Sequence, residues 1–466
     1  MEQRHRSGLT LLAALLLFPV AHATSTDTPA ARMAEQLKIN QQRYGIAGQA
    51  VIVTHNDEVL FRGASGSASV DSVFEMYSVA KLFTNTLVMQ LIEQGDVEVD
   101  QPASRYVPDL PASWKAITVR NFLDHTSGIP DYFDKDHPSG PYPPTVKAMF
   151  AALADKPLQF PPGTQTRYTQ ANYVVLAALL EAHYGKPYPQ IVAERIVRRL
   201  GLRGTFLGAS AVPADRAVTE YIGKNGKLQR DPPIVWPLYG YGHASLFSTV
   251  DDLRVFLGAM ARGELVDKVT LSKLWQKSTL PNGRTGDFAT GWEYGNSDLY
   301  WNVGHDGGTK VRVRLLFRGD LGGDRYTVIY VTSGSAKNVW SRVLVDSAMA
   351  AVAPDDFPAE ALQERLIAFA TGPSTDSTMA AMERFLGKQS ALKGKDLERA
   401  VNASGYTICE NLGVDACIRV FILNTHLFAQ SSNAWDSLAE AYQKKGDREK
   451  AQSLYDKAHR LAAGQQ

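Results

Sequence analysis

Strand-like patterns of apolar and polar positions lie near the start and past the middle of the chain, with helical spacing between and after. "PAARMAEQLKINQQRY" (29–44) carries helical spacing. "GQAVIVTH" (48–55), a polar turn at "NDE" and "VLFRGASG" then read as strand, turn and strand. Residues 79–95, "VAKLFTNTLVMQLIEQG", predict a strongly apolar helix stopped by Gly95. Residues 96–250 mix short helices with loops such as "PSGPYPP" and "FPPGTQT". "VRVRLLFR" (311–318) alternates, turns at "GDLGGD" and returns as "RYTVIYVTS", and "NVWSRVLVDSAMAAVA" reads as a closing helix. Strands at both ends with helices between predict an α/β fold, an antiparallel sheet flanked by helices.

"APDDFP" and "ATGPSTDST" punctuate the pattern and predict a main domain over 24–356, a linker over 357–378 and a small all-α cap over 379–466. In the cap, Trp435, Leu438, Ala439, Tyr442, Ala451 and Tyr455 follow the tetratricopeptide spacing. Shifted back by about 34 residues, the repeat length, Ile408, Cys417 and Phe421 form a degenerate earlier copy. Two copies are too few for an independent solenoid, so the cap is expected to dock on the main domain.

The first 23 residues predict an export leader: Arg4, His5 and Arg6, a short apolar core "LTLLAALLLFPVA", and "AHA" as a cleavage site. The apolar core is too short for a comfortable span, so no stable membrane anchor is expected, and the mature chain would be periplasmic or secreted. Composition narrows the rest. With 44% hydrophobic and 21% charged residues the chain is globular in character, and 49 basic against 48 acidic residues leave no field for nucleic acid. Cys409 and Cys417 are the only two cysteines. They fall late in one helix of the cap and early in the next, so a disulfide across the turn is one expectation and two buried thiols the other.

The ten histidines include no His-x-His or His-x-x-x-His pair, so no metal site is expected. The chain has neither a G-x-S-x-G elbow nor a nucleotide fingerprint, and no cofactor is implied. Two Ser-x-x-Lys spacings stand out. In "FEMYSVAKLFTN", Ser78 sits where a helix begins and Lys81 falls on the same face, flanked by Phe74, Met76, Leu82 and Phe83. A lysine desolvated there loses basicity and can activate the serine. In "GKQSALKGKDLERA", Ser390 and Lys393 lie among charges, which predicts a solvated, inert lysine. Downstream, "PPGTQTRYTQANYVVLAALLE" puts Tyr168 in a loop before an apolar helix, and "WNVGHDGGTKVRV" puts His305, Asp306, Gly307 and Gly308 on a strand. Lys310, Arg312 and Arg314 share one face of that segment, as a solvated face or a grip for a carboxylate.

In this order, these segments resemble the serine β-lactamase and D,D-peptidase superfamily, its class C-like branch. "NFLDHTSGIPDY", "FPPGTQTRY" and "FSTVDDLRVFL" add to the likeness, which covers roughly residues 35–350. The resemblance implies a β-lactamase/transpeptidase-like fold. It makes Ser78 the acylated nucleophile, Lys81 its proton partner, Tyr168 a proton relay and His305 the basic residue of the third motif. Either Lys81 or Tyr168 can be the acylation base. The backbone N–H groups of Ser78 and Gly308 would form the oxyanion hole, with Gln170, Asp306 and Gly307 binding substrate. Two departures bear on substrate choice: Gln170 stands where an asparagine is usual, and Asp306 where a threonine or serine is common. The implied activity is an exported serine hydrolase for D-amino-acid or cell-wall-type peptides, then small esters or β-lactams. The alternative is a catalytically weakened member that binds a peptide, or a protein partner through the C-terminal helices.

Overall fold

The computed structural model describes residues 28–464 apart from 298 and 389. The leader expected over 1–23 lies outside the described residues. Helix α1 (Pro29–Tyr44) precedes the hairpin β1 (Gly48–His55) and β2 (Glu58–Gly66). Asn56 and Asp57 take positive φ (47° and 73°), the geometry a tight two-residue hairpin turn requires. The middle of the chain contributes α2 (Ala80–Gln94), α3 (Ala171–Tyr184) and α4 (Val250–Arg262). The chain then returns as β3 (Phe288–Ala289), β4 (Trp292–Ser297), β5 (Tyr300–Gly307), β6 (Val311–Phe317) and β7 (Arg325–Thr332), closed by α5 (Ser341–Val352). The seven strands form one sheet in the order β2-β1-β7-β6-β5-β4-β3, every described pair antiparallel.

Both faces of the sheet are covered, which explains the near-continuous apolar run of β1. Ala50 and Ile52 point to one side, where α2, α3 and α4 supply Leu82, Phe83, Val174, Leu176, Phe256 and Leu257. Val51 and Val53 point to the other, onto Met33 and Leu37 of α1 and Val343 and Leu344 of α5. Each such aliphatic side chain contributes about 1.5–3 kcal/mol by leaving water.

Among the described residues six further helices follow: α6 (Pro358–Thr371), α7 (Asp376–Lys388), α8 (Gly394–Leu412), α9 (Val414–Leu427), α10 (Ser432–Lys445) and α11 (Arg448–Ala463). The stretch read as a linker is in large part α6, because Leu362, Leu366, Ile367 and Phe369 give it an apolar face to bury. Helix α6 packs on α5 on one side and on α8 and α9 on the other. One apolar core therefore runs from the sheet into the C-terminal helices. Polar ties reinforce it: Asn411 Oδ1 accepts from the Trp340 N–H at 2.9 Å, and Arg43 pairs with Glu364 at 2.7 Å. Cys409 and Cys417 form a disulfide between α8 and α9.

Candidate active site

The short strand Phe74–Glu75 pairs with Leu246–Ser248 and delivers the chain to a sharp turn. Tyr77 takes that turn at φ 47°, a conformation that costs a non-glycine residue about 1–2 kcal/mol. Ser78 follows within the 3-10 turn Tyr77–Val79, which runs straight into α2. Lys81, in the first turn of α2, is completely buried. Its Nζ lies 3.1 Å from Ser78 Oγ, 2.8 Å from Gln170 Oε1 and 3.3 Å from the His243 carbonyl oxygen. The rings of Tyr168 and Tyr173 wall it at 4.9 and 5.2 Å. Burial pushes this amine well below the ordinary lysine value, with the charge of Asp131 opposing the shift.

The Tyr168 hydroxyl donates to Ser78 Oγ at 2.8 Å. Burial raises the phenol, and the bond to Ser78 works against the rise. Because 39% of the residue is open, solvent offsets part of that push. Beneath it the ring stacks on His125, with centroids 4.3 Å apart. His125 is fully buried, and burial lowers its pKa well below the usual histidine value. Its Nδ1 faces the Thr169 N–H (3.2 Å) and Asn172 Nδ2 (3.1 Å), while Asn172 Oδ1 accepts from the Ser127 hydroxyl at 2.6 Å. Asp131 accepts from the N–H groups of Gln170 and Ala171, capping α3 where the tyrosine loop enters it. The "HTSGIPDY" segment is thus the floor and clamp of the Tyr168–Gln170 loop.

On the opposite wall, β5 ends against the turn that carries Ser78. A Cβ on Gly307 would meet the Met76 carbonyl oxygen at 2.5 Å, so only glycine permits this approach. Gly308 continues at φ 56°. His305 is buried, with Nδ1 2.8 Å from the Asp306 carbonyl oxygen and its ring centroid 6.1 Å from that of Tyr168. Burial lowers its pKa, with Glu293 opposing, so the group expected to be basic is held towards the neutral imidazole. Two cavities reach the site. One of about 370 Å³ opens beside Gly307 and Gly308, and one of about 530 Å³ beside Tyr168, Phe288 and Asp306.

The geometry joins Ser78, Lys81, Tyr168 and Gln170 in one hydrogen-bonded set and places His305 next to it without a direct bond. Asp306, expected to touch substrate, is instead engaged by arginine: Arg312 Nη1 approaches its two oxygens at 2.7 and 2.6 Å, and Arg314 Nη2 one of them at 2.7 Å. Alternation along β5 turns it to the face opposite His305. Arg314 also pairs with Glu293, and Lys310 with Glu220 and Asp231. The three cations are therefore neither a solvated face nor a free carboxylate grip, because Asp306, Glu293, Glu220 and Asp231 already pair them. Sequence reasoning missed Asp131, His243 and the roles of His125 and Asn172. His243 contributes a carbonyl, which no side-chain pattern marks, whereas Asp131 lies within a motif already singled out. At the other Ser-x-x-Lys, Ser390 is buried and Lys393 is exposed at the N-cap of α8.

Comparison with known proteins gives the family and the fold. The Beta-lactamase family model matches residues 30–339. The chain is 28% identical over 267 residues to Penicillin-binding protein 4 of Amycolatopsis lactamdurans, covering 53% of this chain and 69% of that one. It is 30% identical over 226 residues to the D-alanyl-D-alanine-carboxypeptidase/endopeptidase AmpH of Escherichia coli (strain K12), covering 45% of this chain and 56% of the relative. Among solved structures, the D-amino acid amidase from Ochrobactrum anthropi SV3 superposes with a TM-score of 0.58 at 22% identity, over 69% of this chain and 97% of that one. A D-stereospecific amidohydrolase from Streptomyces sp. gives 0.56 at 23%, over 66% and 94%. The fold is thus the β-lactamase/transpeptidase fold, carrying an all-helical C-terminal extension. The chain belongs to the beta-lactamase family of serine hydrolases.

Proposed function

We propose that this protein acts through an acyl-enzyme on Ser78, on D-amino-acid or cell-wall-type peptide amides first and on small esters or β-lactams next. One observation carries the reading: Lys81 is buried with three polar contacts of the right kinds. A neutral amine has two N–H donors and one lone pair. Gln170 Oε1 and the His243 carbonyl can only accept, so they take the two N–H groups. The lone pair is left for Ser78, 3.1 Å away, and the serine proton has a place to go. As Ser78 Oγ attacks the substrate carbonyl carbon, its proton passes to Lys81, and the N–H groups of Ser78 and Gly308 receive the negative charge on the carbonyl oxygen. Tyr168, bonded to Ser78 Oγ, gives its proton to the departing amine and takes back the one held by Lys81, so that both groups end the step neutral. Water then enters by the reverse relay, and hydrolysis regenerates Ser78.

Gln170 supports this reading, since its longer amide still reaches Lys81 at 2.8 Å. The names of the relatives, a D-alanyl-D-alanine carboxypeptidase and a D-amino acid amidase, support the substrate class. Export fits that substrate and rests on the leader-like first 23 residues. The shared core between sheet and C-terminal helices supports a stabilising part for the tetratricopeptide-like region ahead of an adaptor one. Gly405 and Ala439, 34 residues apart, are both buried at helix contacts, which supports the repeat register.

A panel of D-Ala-D-Ala peptides, D-amino acid amides, nitrocefin and short-chain esters tests the reading. Ser78-dependent release of a D-amino acid or ammonia is the expected result. Turnover of none of these by the purified protein, or turnover that survives Ser78→Ala, contradicts it.

A further inference from the structure

We propose that Lys310 is a positioning residue, resting on the Ser78 reading, that locks the turn carrying Gly308 to the turn carrying Ser78 and so sets the width of the oxyanion gap. The two N–H groups of that gap sit on separate pieces of chain, one before α2 and one after β5. Something must hold the pieces in register, and the Lys310 side chain spans them.

Lys310 ends the tight turn Gly307–Lys310, its N–H donating to the Gly307 carbonyl at 3.2 Å. Its own carbonyl accepts from the Thr332 N–H at 2.9 Å, fastening the turn to β7. An ammonium has three donors, and each finds an acceptor: Tyr77 Oη at 2.9 Å, Glu220 Oε2 at 3.0 Å and Asp231 Oδ2 at 2.8 Å. Tyr77 in turn donates its hydroxyl to Glu220 Oε2 at 3.2 Å. Tyr77 is the residue before the nucleophile, and its backbone is the strained one. A side chain tied at its far end is what keeps such a conformation in place. The acids are fixed as well. Glu220 and Asp231 bracket the hairpin Tyr221–Lys224 and Lys227–Arg230, and the Asp231 N–H donates to the Glu220 carbonyl at 2.9 Å. The Tyr221 N–H donates to the Ser333 carbonyl at 2.7 Å, joining that hairpin to the end of β7. The result is a closed loop of contacts from Ser78 through Tyr77, Lys310 and the turn to Gly308, with the Met76–Gly307 contact across its middle.

A gap held this way acts on the transition state and little on ground-state binding. Steady-state turnover of a 4-nitrophenyl ester and inhibition by an aryl boronic acid, a tetrahedral mimic, read it out. Lys310→Met is expected to lower kcat about 10- to 100-fold, the scale of a small misplacement, with KM within about twofold. Boronate affinity should fall by a similar factor, and Lys310→Arg should recover most of both. Tyr77→Phe should give a smaller fall, and the double variant Tyr77→Phe/Lys310→Met should be no worse than Lys310→Met alone, because both changes cut one linkage. Wild-type kcat in Lys310→Met, or additive losses in the double variant, would overturn the proposal. If Lys310→Met does not fold, Tyr77→Phe decides alone, and unchanged boronate affinity overturns it. Failure of the Ser78 reading is seen separately, as turnover by the otherwise wild-type protein that persists in Ser78→Ala.

Discussion

Two serine–lysine pairs with the same spacing sit in this molecule, and only their surroundings differ. Ser78 and Lys81 lie at the start of an apolar helix, enclosed by Tyr168, Tyr173 and His243, with the amine stripped of water. Ser390 is buried in the connection between α7 and α8, its N–H donating to the Phe385 carbonyl, and Lys393 points to solvent beyond it. A lysine in water stays charged and has no lone pair to offer. The comparison teaches that the same Ser-x-x-Lys spacing gives a desolvated amine with fixed acceptors in one place and a solvated one in the other, and the proposed nucleophile rests on that difference.

The sharpest way to break the comparison is to exchange each lysine. Lys81→Met is expected to lower kcat/KM for the preferred substrate at least about 1,000-fold, while Lys393→Met leaves it unchanged, as steady-state assays will show. A comparable loss in both would mean that burial is not what separates them. Next is the acceptor set. Gln170→Leu removes one partner of the Lys81 N–H groups and should cost about tenfold in kcat, read in the same assay. On the C-terminal side the expected effects are on stability alone. Cys409→Ser opens a short loop and should cost about 2 kcal/mol of unfolding free energy in urea, with kcat unaltered.

A pH effect on stability separates the ground behind Ser78 from that around Ser390. Glu75, two residues before Tyr77, is buried near Glu220, Asp231 and Lys310, and burial together with the charge of Glu220 pushes its carboxyl up to about 8. The native state then holds a proton that the unfolded chain has already lost. This contribution to stability is complete below the unfolded carboxyl value near 4.5 and is lost as pH rises through about 8. Thermal melts should therefore show a midpoint falling by a few degrees between pH 5 and pH 8, and Glu75→Gln should flatten that slope.

Much of this was legible in the sequence. The apolar run in 48–55 and the alternation in 311–318 marked sheet strands, and a strongly apolar stretch of helical length marked α2, because burial on one or two faces leaves its trace in the pattern. Ser78, Lys81 and Tyr168 were legible as ordered motifs. The His243 carbonyl was not, since a backbone acceptor leaves no residue-type signal. The part of Asn172 was not legible either, because holding His125 under the Tyr168 ring depends on a tertiary contact. The ion pairs of Asp306 and the three cations were not legible, because the strand pattern does not show that Arg312 and Arg314 meet Asp306, or that Glu293 pairs with Arg314 and Glu220 and Asp231 with Lys310. Helix α6 was hidden by the proline and glycine punctuation on either side of it, although its own apolar face joins the C-terminal helices to the sheet.

The central claim is that Ser78, and no other serine, is acylated. Treating the protein with a fluorophosphonate or a fluorescent penicillin, digesting it and locating the adduct by mass spectrometry tests this most directly. The account predicts one adduct, on the peptide containing Ser78, lost in Ser78→Ala and retained in Ser390→Ala. Labelling of Ser390, or equal labelling of the Ser78→Ala protein, would contradict it.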